Sequence, residues 1–395
     1  MIKKNLVYAS SLLLMLLVAS CSSDGGGDDP IIDTENPTIN CQASINVSIS
    51  ATENEAKVDY TTPVAQDNIS ASVVQTSGLP SGAMYSIGTT TNTFQAKDAA
   101  GNTATCSFDV IVTRDAPSSN NPYFVGNDPT PTGKKWTKID NMSDDFDGTA
   151  FDDNKWHRNP STDGFNWIGR APGLFESDNV TVSDGNLNIT VEKFAAPKTV
   201  NNIEFTHGGA IVRSKEVAKY GQYYECRMKA NKTIMSSTFW IAFKQNCNTG
   251  PVRKLELDIQ ECVGRVHDGT ANWAADWANS YHSNAWRHQR DCDTEVNESM
   301  QSPAKTVMTE KNNSRFFVYG CWWKSPTEIL FYLDGEYTHS ITPPTDFDLE
   351  GHITMAIETY DWNPVDEAGS IFATGSFDDL TTKYDWIRTW KLDNI

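Results

Sequence analysis

Between Asn36 and Arg114, polar and apolar positions alternate in short runs. Val47-Ser48-Ile49, Lys57-Val58-Asp59-Tyr60, Thr91 to Gln95 and Cys106 to Val112 each put every second residue on one side, and no helical period interrupts them. About eighty residues of this kind predict a small immunoglobulin-like β-sandwich. Ala116 to Thr132 is rich in Pro, Asn and Ser without periodicity, so residues 115–138 read as a linker. Alternation resumes from Ile139 to Ile395, in Val180 to Val182, Asn186 to Val191, Gly221 to Met228, Phe316 to Gly320 and a last strand over Asp385 to Lys391. Ile329 to Leu333 runs into Asp334-Gly335, a hairpin signal. Roughly 255 residues of strands and turns, with one short helix at most, predict an all-β double-sheet jelly roll.

The first residues speak to compartment. Lys3 and Lys4 precede an apolar run, Leu6 to Ala19, which is shorter than the ~20 residues a bilayer span needs. It ends in Val18-Ala19-Ser20-Cys21, which resembles a bacterial lipobox. That resemblance implies a signal peptide over residues 1–20 and a lipidated Cys21 as mature N-terminus, hence an outer-membrane or cell-surface lipoprotein. Residues 21–35, with Ser22 to Asp29 acidic and glycine-rich, then read as a flexible tether.

Composition narrows the partners. Lys and Arg number 32 against 51 Asp and Glu, a net charge of −19, which repels a phosphate backbone and argues against nucleic acid. A neutral polymer suits this balance, and an anionic one would require the few arginines to gather in a cleft. Twelve tryptophans suit both cores and the flat faces of sugars. Seven cysteines follow Cys21; Cys41 and Cys106 bracket the small domain and are the best disulfide pair. Cys226, Cys247, Cys262, Cys292 and Cys321 leave at least one free thiol, and none has the short paired spacing of a zinc site.

Chemistry concentrates in Lys254-Leu255-Glu256-Leu257-Asp258-Ile259-Gln260-Glu261. On a strand Glu256 and Asp258 share one face and Leu257 and Ile259 the other. Strict alternation would put Glu261 with the leucines, and a single β-bulge around Ile259–Gln260 would return it to the acidic face. Three carboxylates so placed cannot all ionise easily, and at least one should hold its proton. One carboxylate to attack and one carboxylic acid to donate is what cleavage of a glycosidic bond needs. An exposed acidic strand without a role is the plain alternative, and its self-repulsion counts against it.

Glu-x-Asp-x-x-Glu, here Glu256, Asp258 and Glu261, resembles the signature of glycoside hydrolase family 16. The resemblance spans 139–393 and includes Asp144 to Gly148, Lys155-Trp156, Ser236 to Trp240 and Tyr384 to Arg388. It implies a concanavalin-like jelly roll with Glu256 as nucleophile, Glu261 as acid/base and Asp258 tuning the nucleophile's protonation. Trp167 to Gly173, Met235 to Trp240 and Glu358 to Pro364 are most similar to the β-agarase and porphyranase branch, which cuts red-algal galactans. In the small domain, Thr61 to Asn68 and Ala96 to Cys106 resemble a hyalin-repeat (HYR) module, a spacer to which no chemistry is assigned.

Around the acids, Trp240, Trp167, Arg170, His282 and Glu358 are candidates for substrate contact, and Arg287 and Arg290 for a sulfate. No cofactor is required. The resemblance makes an outer-face calcium conceivable, with Asp147 and Asp385 as ligands. The rivals are a β-1,3-glucanase of the laminarinase kind, which shares the acid triplet, and a non-catalytic lectin on the same sandwich. Intact acids weigh against the lectin.

Overall fold

The computed structural model describes residues 33–49, 55–114, 120–159, 165–243, 253–290, 297–365 and 371–395. Cys21 with the leader, most of the tether, Cys247 and Cys292 lie outside the described residues. The chain divides into two compact units, with the boundary between Arg114 and Asp115.

The smaller unit is a β-sandwich. Its main sheet has the order Ile45–Ile49, Thr103–Arg114, Gly88–Asp98, Ala71–Ser77, and two ribbons pair Glu55–Val58 with Ala83–Ser86 and Thr38–Ile39 with Ala65–Gln66. In Gly88–Asp98 the residues Asn92, Phe94, Ala96 and Asp98 are buried while their neighbours are not, so the alternation seen in the sequence is the inside–outside pattern of the sheet. Tyr85, Phe94, Phe108 and Val110 form the core. A Cys41–Cys106 disulfide ties the unit's first residues to its last strand.

The larger unit contains two sheets around one core. One runs Trp156–His157, Ile203–Ser214, Gly351–Ile357, Ser236–Phe243, Lys254–Val263, Ser280–Arg290, Asn297–Val307. The other runs Val180–Ser183, Asn186–Thr190, Thr381–Asn394, Gln222–Lys229, Phe317–Ser325, Glu328–Leu333, Glu336–Ile341. Leu255, Leu257 and Ile259 of the first share a core with Tyr319, Cys321, Trp323 and Phe331 of the second. Each of these leucine, isoleucine and phenylalanine side chains contributes roughly 1.5–3 kcal/mol by leaving water. The last hairpin turns at Asp334 and Gly335, both at positive φ (49° and 82°), as a two-residue type I′ turn requires.

Two expectations are corrected. Residues 120–138 are not a linker, and the larger unit does not begin at Ile139. Lys134–Lys138 pairs with Thr381–Asn394, Lys138 lying opposite Trp390. Trp136 of this strand and Phe124 ahead of it pack with Tyr223, Trp322, Tyr332 and Trp390, and Tyr123 packs against Val318 and Trp386. The prolines and asparagines around these aromatics masked them: three anchoring side chains are too few to set up a period, yet enough to bind the segment to a sheet. Among the described residues there are also two short α-helices, Ile371–Thr374 and Phe377–Leu380, where one at most was expected. The second begins with a Ser376/Asp379 capping box, a signal too local to register as helical periodicity.

Beneath the aromatic cover lies Glu225, fully buried on Gln222–Lys229. Its Oε2 accepts a 2.8 Å hydrogen bond from the backbone N–H of Tyr123. Burial pushes the carboxyl up to about 8, against the opposing pull of that hydrogen bond and of Arg388. In the fold it therefore keeps a proton that the unfolded chain releases near its ordinary value of 4.5. Stability from this group is full below that ordinary value and is lost as pH climbs toward and through about 8. Thermal midpoints measured from pH 5 to 9 should decline less steeply for Glu225→Gln than for the parent protein, and parallel curves would refute the assignment.

Candidate active site

The acidic residues sit on Lys254–Val263, between Ser236–Phe243 and Ser280–Arg290. Phe239 pairs with Gln260 and Trp240 with Asp258, which leaves Ile259 as one extra residue. This bulge reverses the phase of the strand. Leu255, Leu257, Ile259 and Cys262 enter the core, whereas Glu256, Asp258 and Glu261 all line one cleft of about 400 Å³. A bulge breaks the hydrogen-bond ladder locally, and ladder pairing with Ser280–Arg290 indeed ends at Asp258–Asn284. The Gln260 side chain takes over there. Its Oε1 accepts from the His282 backbone N–H at 2.9 Å, and its Nε2 donates to the Ser280 carbonyl at 3.1 Å and to Asn312 Oδ1 at 3.2 Å. The Ser283 hydroxyl donates to the Ile259 carbonyl at 2.7 Å. Gln260 went unassigned in the sequence because its work is to replace backbone, which leaves no mark in a polarity pattern.

Burial and mutual repulsion set the protonation of the acids. Asp258, 2% exposed, is held well above the carboxylate range by burial, then by the charges of Glu261 and Glu256. Glu261 is pushed up to about 8 by burial and then by Glu256, with the hydrogen bond from Tyr360 and the charge of Arg170 pulling the other way. Burial also raises Glu358 to about 7, opposed by Arg170, whose Nε donates to Glu358 Oε2 at 2.9 Å. Protons are thus stored on the Asp258–Glu261 side of the cleft.

The other expected residues divide. Trp167, Arg170, Trp240 and Glu358 line the cleft with the acids, and the two indoles meet edge to face at 6.3 Å. His282 stands next to Glu261. Its ring lies 4.1 Å from Trp277, with Nδ1 3.7 Å from Glu261 Oε2, beside the acid. Burial, then Lys305, lowers it to about 4, so the contact is that of a neutral imidazole beside a carboxyl and not an ion pair. Arg287 lies opposite Leu255 in the ladder and so points away from the cleft face; the Arg290 side chain is outside the described residues.

Asp147 and Asp385, named above for calcium, have different surroundings. Asp385 is ion-paired to Arg227 through Oδ2, and Asp147 is exposed. Among the described residues the one grouping of three potential metal ligands is Asp33, Asp67 and Asp98, in the smaller unit.

Sequence reasoning missed two further neighbours of the acids. His288 lines the cleft, stacks on Trp286 at 5.2 Å and brings Nε2 to 3.6 Å from Glu256 Oε2. Trp286 is the ladder partner of Glu256, so counting by twos from it would have found His288. The hydroxyl of Tyr360 donates to Glu261 Oε1 at 2.9 Å, and no local pattern signals that contact.

Residues 136–392 match the domain family described as beta-porphyranase A–D, GH16 domain, and residues 32–112 match the HYR domain. Beta-porphyranase B of Zobellia galactanivorans is 44% identical over 277 residues, covering 69% of this chain and 90% of that protein. The crystal structure of porphyranase B from that organism superposes with a TM-score of 0.63 at 43% identity, over 69% of this chain and 100% of that one. Beta-agarase AgaB34 of Agarivorans albus is more distant, 25% identical over 66% of this chain and 57% of its own.

The bulge makes its own prediction. Gln260→Leu keeps the volume but strips three buried hydrogen bonds, and should lower stability by roughly 2–4 kcal/mol in urea unfolding. An unchanged midpoint would mean that the side chain does not stand in for the ladder.

Proposed function

The chain belongs to the porphyranase branch of glycoside hydrolase family 16, and from that premise we propose that its larger unit is a retaining endo-hydrolase of β-1,4-galactosidic linkages in porphyran. The observation that carries this reading is the acid triplet on one cleft face, with Glu261 holding a proton up to about 8. Glu256 attacks the anomeric carbon while Glu261 protonates the departing oxygen. Glu261, now a base, takes a proton from the water that hydrolyses the glycosyl-enzyme, and both carboxyls return to their starting states. Asp258, buried between them in sequence and still protonated, keeps a third negative charge out of the cleft while Glu256 acts as a carboxylate.

Porphyran is favoured over agarose by the closer likeness to a porphyranase than to an agarase. The smaller unit is proposed as a spacer and Cys21 as a lipid anchor to the cell surface. Support for the anchor is the leader sequence alone, and release of Cys21→Ser into the medium would test it.

Reducing-end assays on porphyran, agarose, κ-carrageenan and laminarin should show release from porphyran, abolished in Glu256→Gln. Activity confined to laminarin would transfer the protein to the glucanase reading, and binding without cleavage of any polymer would make it a lectin. Proton NMR of the first products should show the β-anomer, whereas the α-anomer would exclude retention. Because the donor must be protonated, kcat/KM should fall as pH rises through about 8.

A further inference from the structure

Glu261 has two carboxyl oxygens in different surroundings. Oε1 accepts the Tyr360 hydroxyl at 2.9 Å. Oε2 faces His282 Nδ1 at 3.7 Å, too far for a hydrogen bond, and the Asp258 carboxyl also hydrogen-bonds to the Glu261 carboxyl. Tyr360 is 6% exposed and is fixed on several sides. Its ring stacks on Trp362 at 5.0 Å and 19°, meets Trp277 edge-on at 5.9 Å, and lies under Arg170 at 5.7 Å. An isolated bridge to Asn363 closes the turn that carries it. The phenol also keeps its own proton, since burial, then the charges of Glu261 and Glu358, hold it well above its ordinary range. Toward Glu261 it can act only as a donor.

We propose that Tyr360 is a positioning residue that reserves Glu261 Oε1 as an acceptor, so that the catalytic proton is carried on, delivered from and returned to Oε2. The inference rests on Glu261 being the acid/base. In the first step the Oε2–H bond breaks as the leaving oxygen gains that proton and its bond to the anomeric carbon passes to Glu256. In the second, water adds to that carbon, Glu256 departs and Oε2 recovers a proton from the water. Tyr360 exchanges no proton in either step. It selects which oxygen takes part and stabilises the carboxylate formed between them.

Tyr360→Phe removes the hydroxyl and keeps the ring on which Trp362 and Arg170 rest. The other groups around Glu261, namely Glu256 and Asp258 on its own strand, Glu358 and Arg170 beside it and His282 on the next strand, stay unchanged. Losing a donor to the charged form should move the basic limb of the kcat/KM profile on porphyran to higher pH. kcat should fall about tenfold with KM within about twofold, part of the 10²–10⁴ that acid–base catalysis supplies. Trp362→Leu, which frees the ring but keeps the hydroxyl, should shift the limb in the same direction by less. A limb that stays in place in both variants, with kcat reduced equally at every pH, would overturn the proposal and leave Tyr360 a structural residue. Glu261→Gln distinguishes the two readings: if it keeps full activity, the acid/base assignment itself has failed.

Discussion

One extra residue in one strand governs the rest of the larger unit. A β-strand has a side-chain period of two, so Glu256 and Glu261, five positions apart, would face opposite sides of an unbroken sheet. Ile259 is left unpaired between Phe239–Gln260 and Trp240–Asp258, and that single slip brings both to the cleft while Ile259 and Gln260 turn inward together. The bulge is tolerable because the gap it opens toward Ser280–Arg290 is filled by side chains: Gln260 bonds to both the His282 N–H and the Ser280 carbonyl, and Ser283 closes on Ile259. A buried polar group without those partners would cost about 1–3 kcal/mol.

The electrostatics follow from the same geometry. With the sheet core behind them and one another beside them, the acids cannot all ionise, and the proton settles where burial is deepest. Glu256 keeps an open flank toward His288 and the cleft, whereas Asp258 and Glu261 are driven toward the neutral form. Glu358 would add a fourth charge, but Arg170 is hydrogen-bonded to it. Arg170 therefore couples the cleft's cationic side to the protonation of its acids, and also covers the ring of Tyr360.

On the opposite sheet, stability and disguise have one source. Tyr123, Phe124 and Trp136 lie in a stretch whose prolines and asparagines read as a linker, yet they cover a sheet face of aromatics and enclose Glu225. Local composition reports how a segment would behave alone. It does not report what a distant face offers it. The same limit applies to His282: its strand position did not show that Trp277 packs against its ring.

The all-β class, the two-unit organisation, the acid triplet and even the site of the bulge were legible in the chain, because each is written in a period of two or in a break from it. Trp167, Arg170, Trp240 and Glu358 were legible through family resemblance, and the structure gathers them at one cleft. The true start of the larger unit, the pairing of Asp385 with Arg227 and the hydroxyl of Tyr360 on Glu261 were not. Those contacts join residues 99 to 252 positions apart for Tyr360–Glu261 and Trp390–Lys138 respectively, and a one-dimensional pattern holds no record of which strands become neighbours. Residue order determined which faces are apolar and which carry acid. Tertiary packing alone decided how deeply each acid is buried and what meets it, and those two quantities determine where the proton resides.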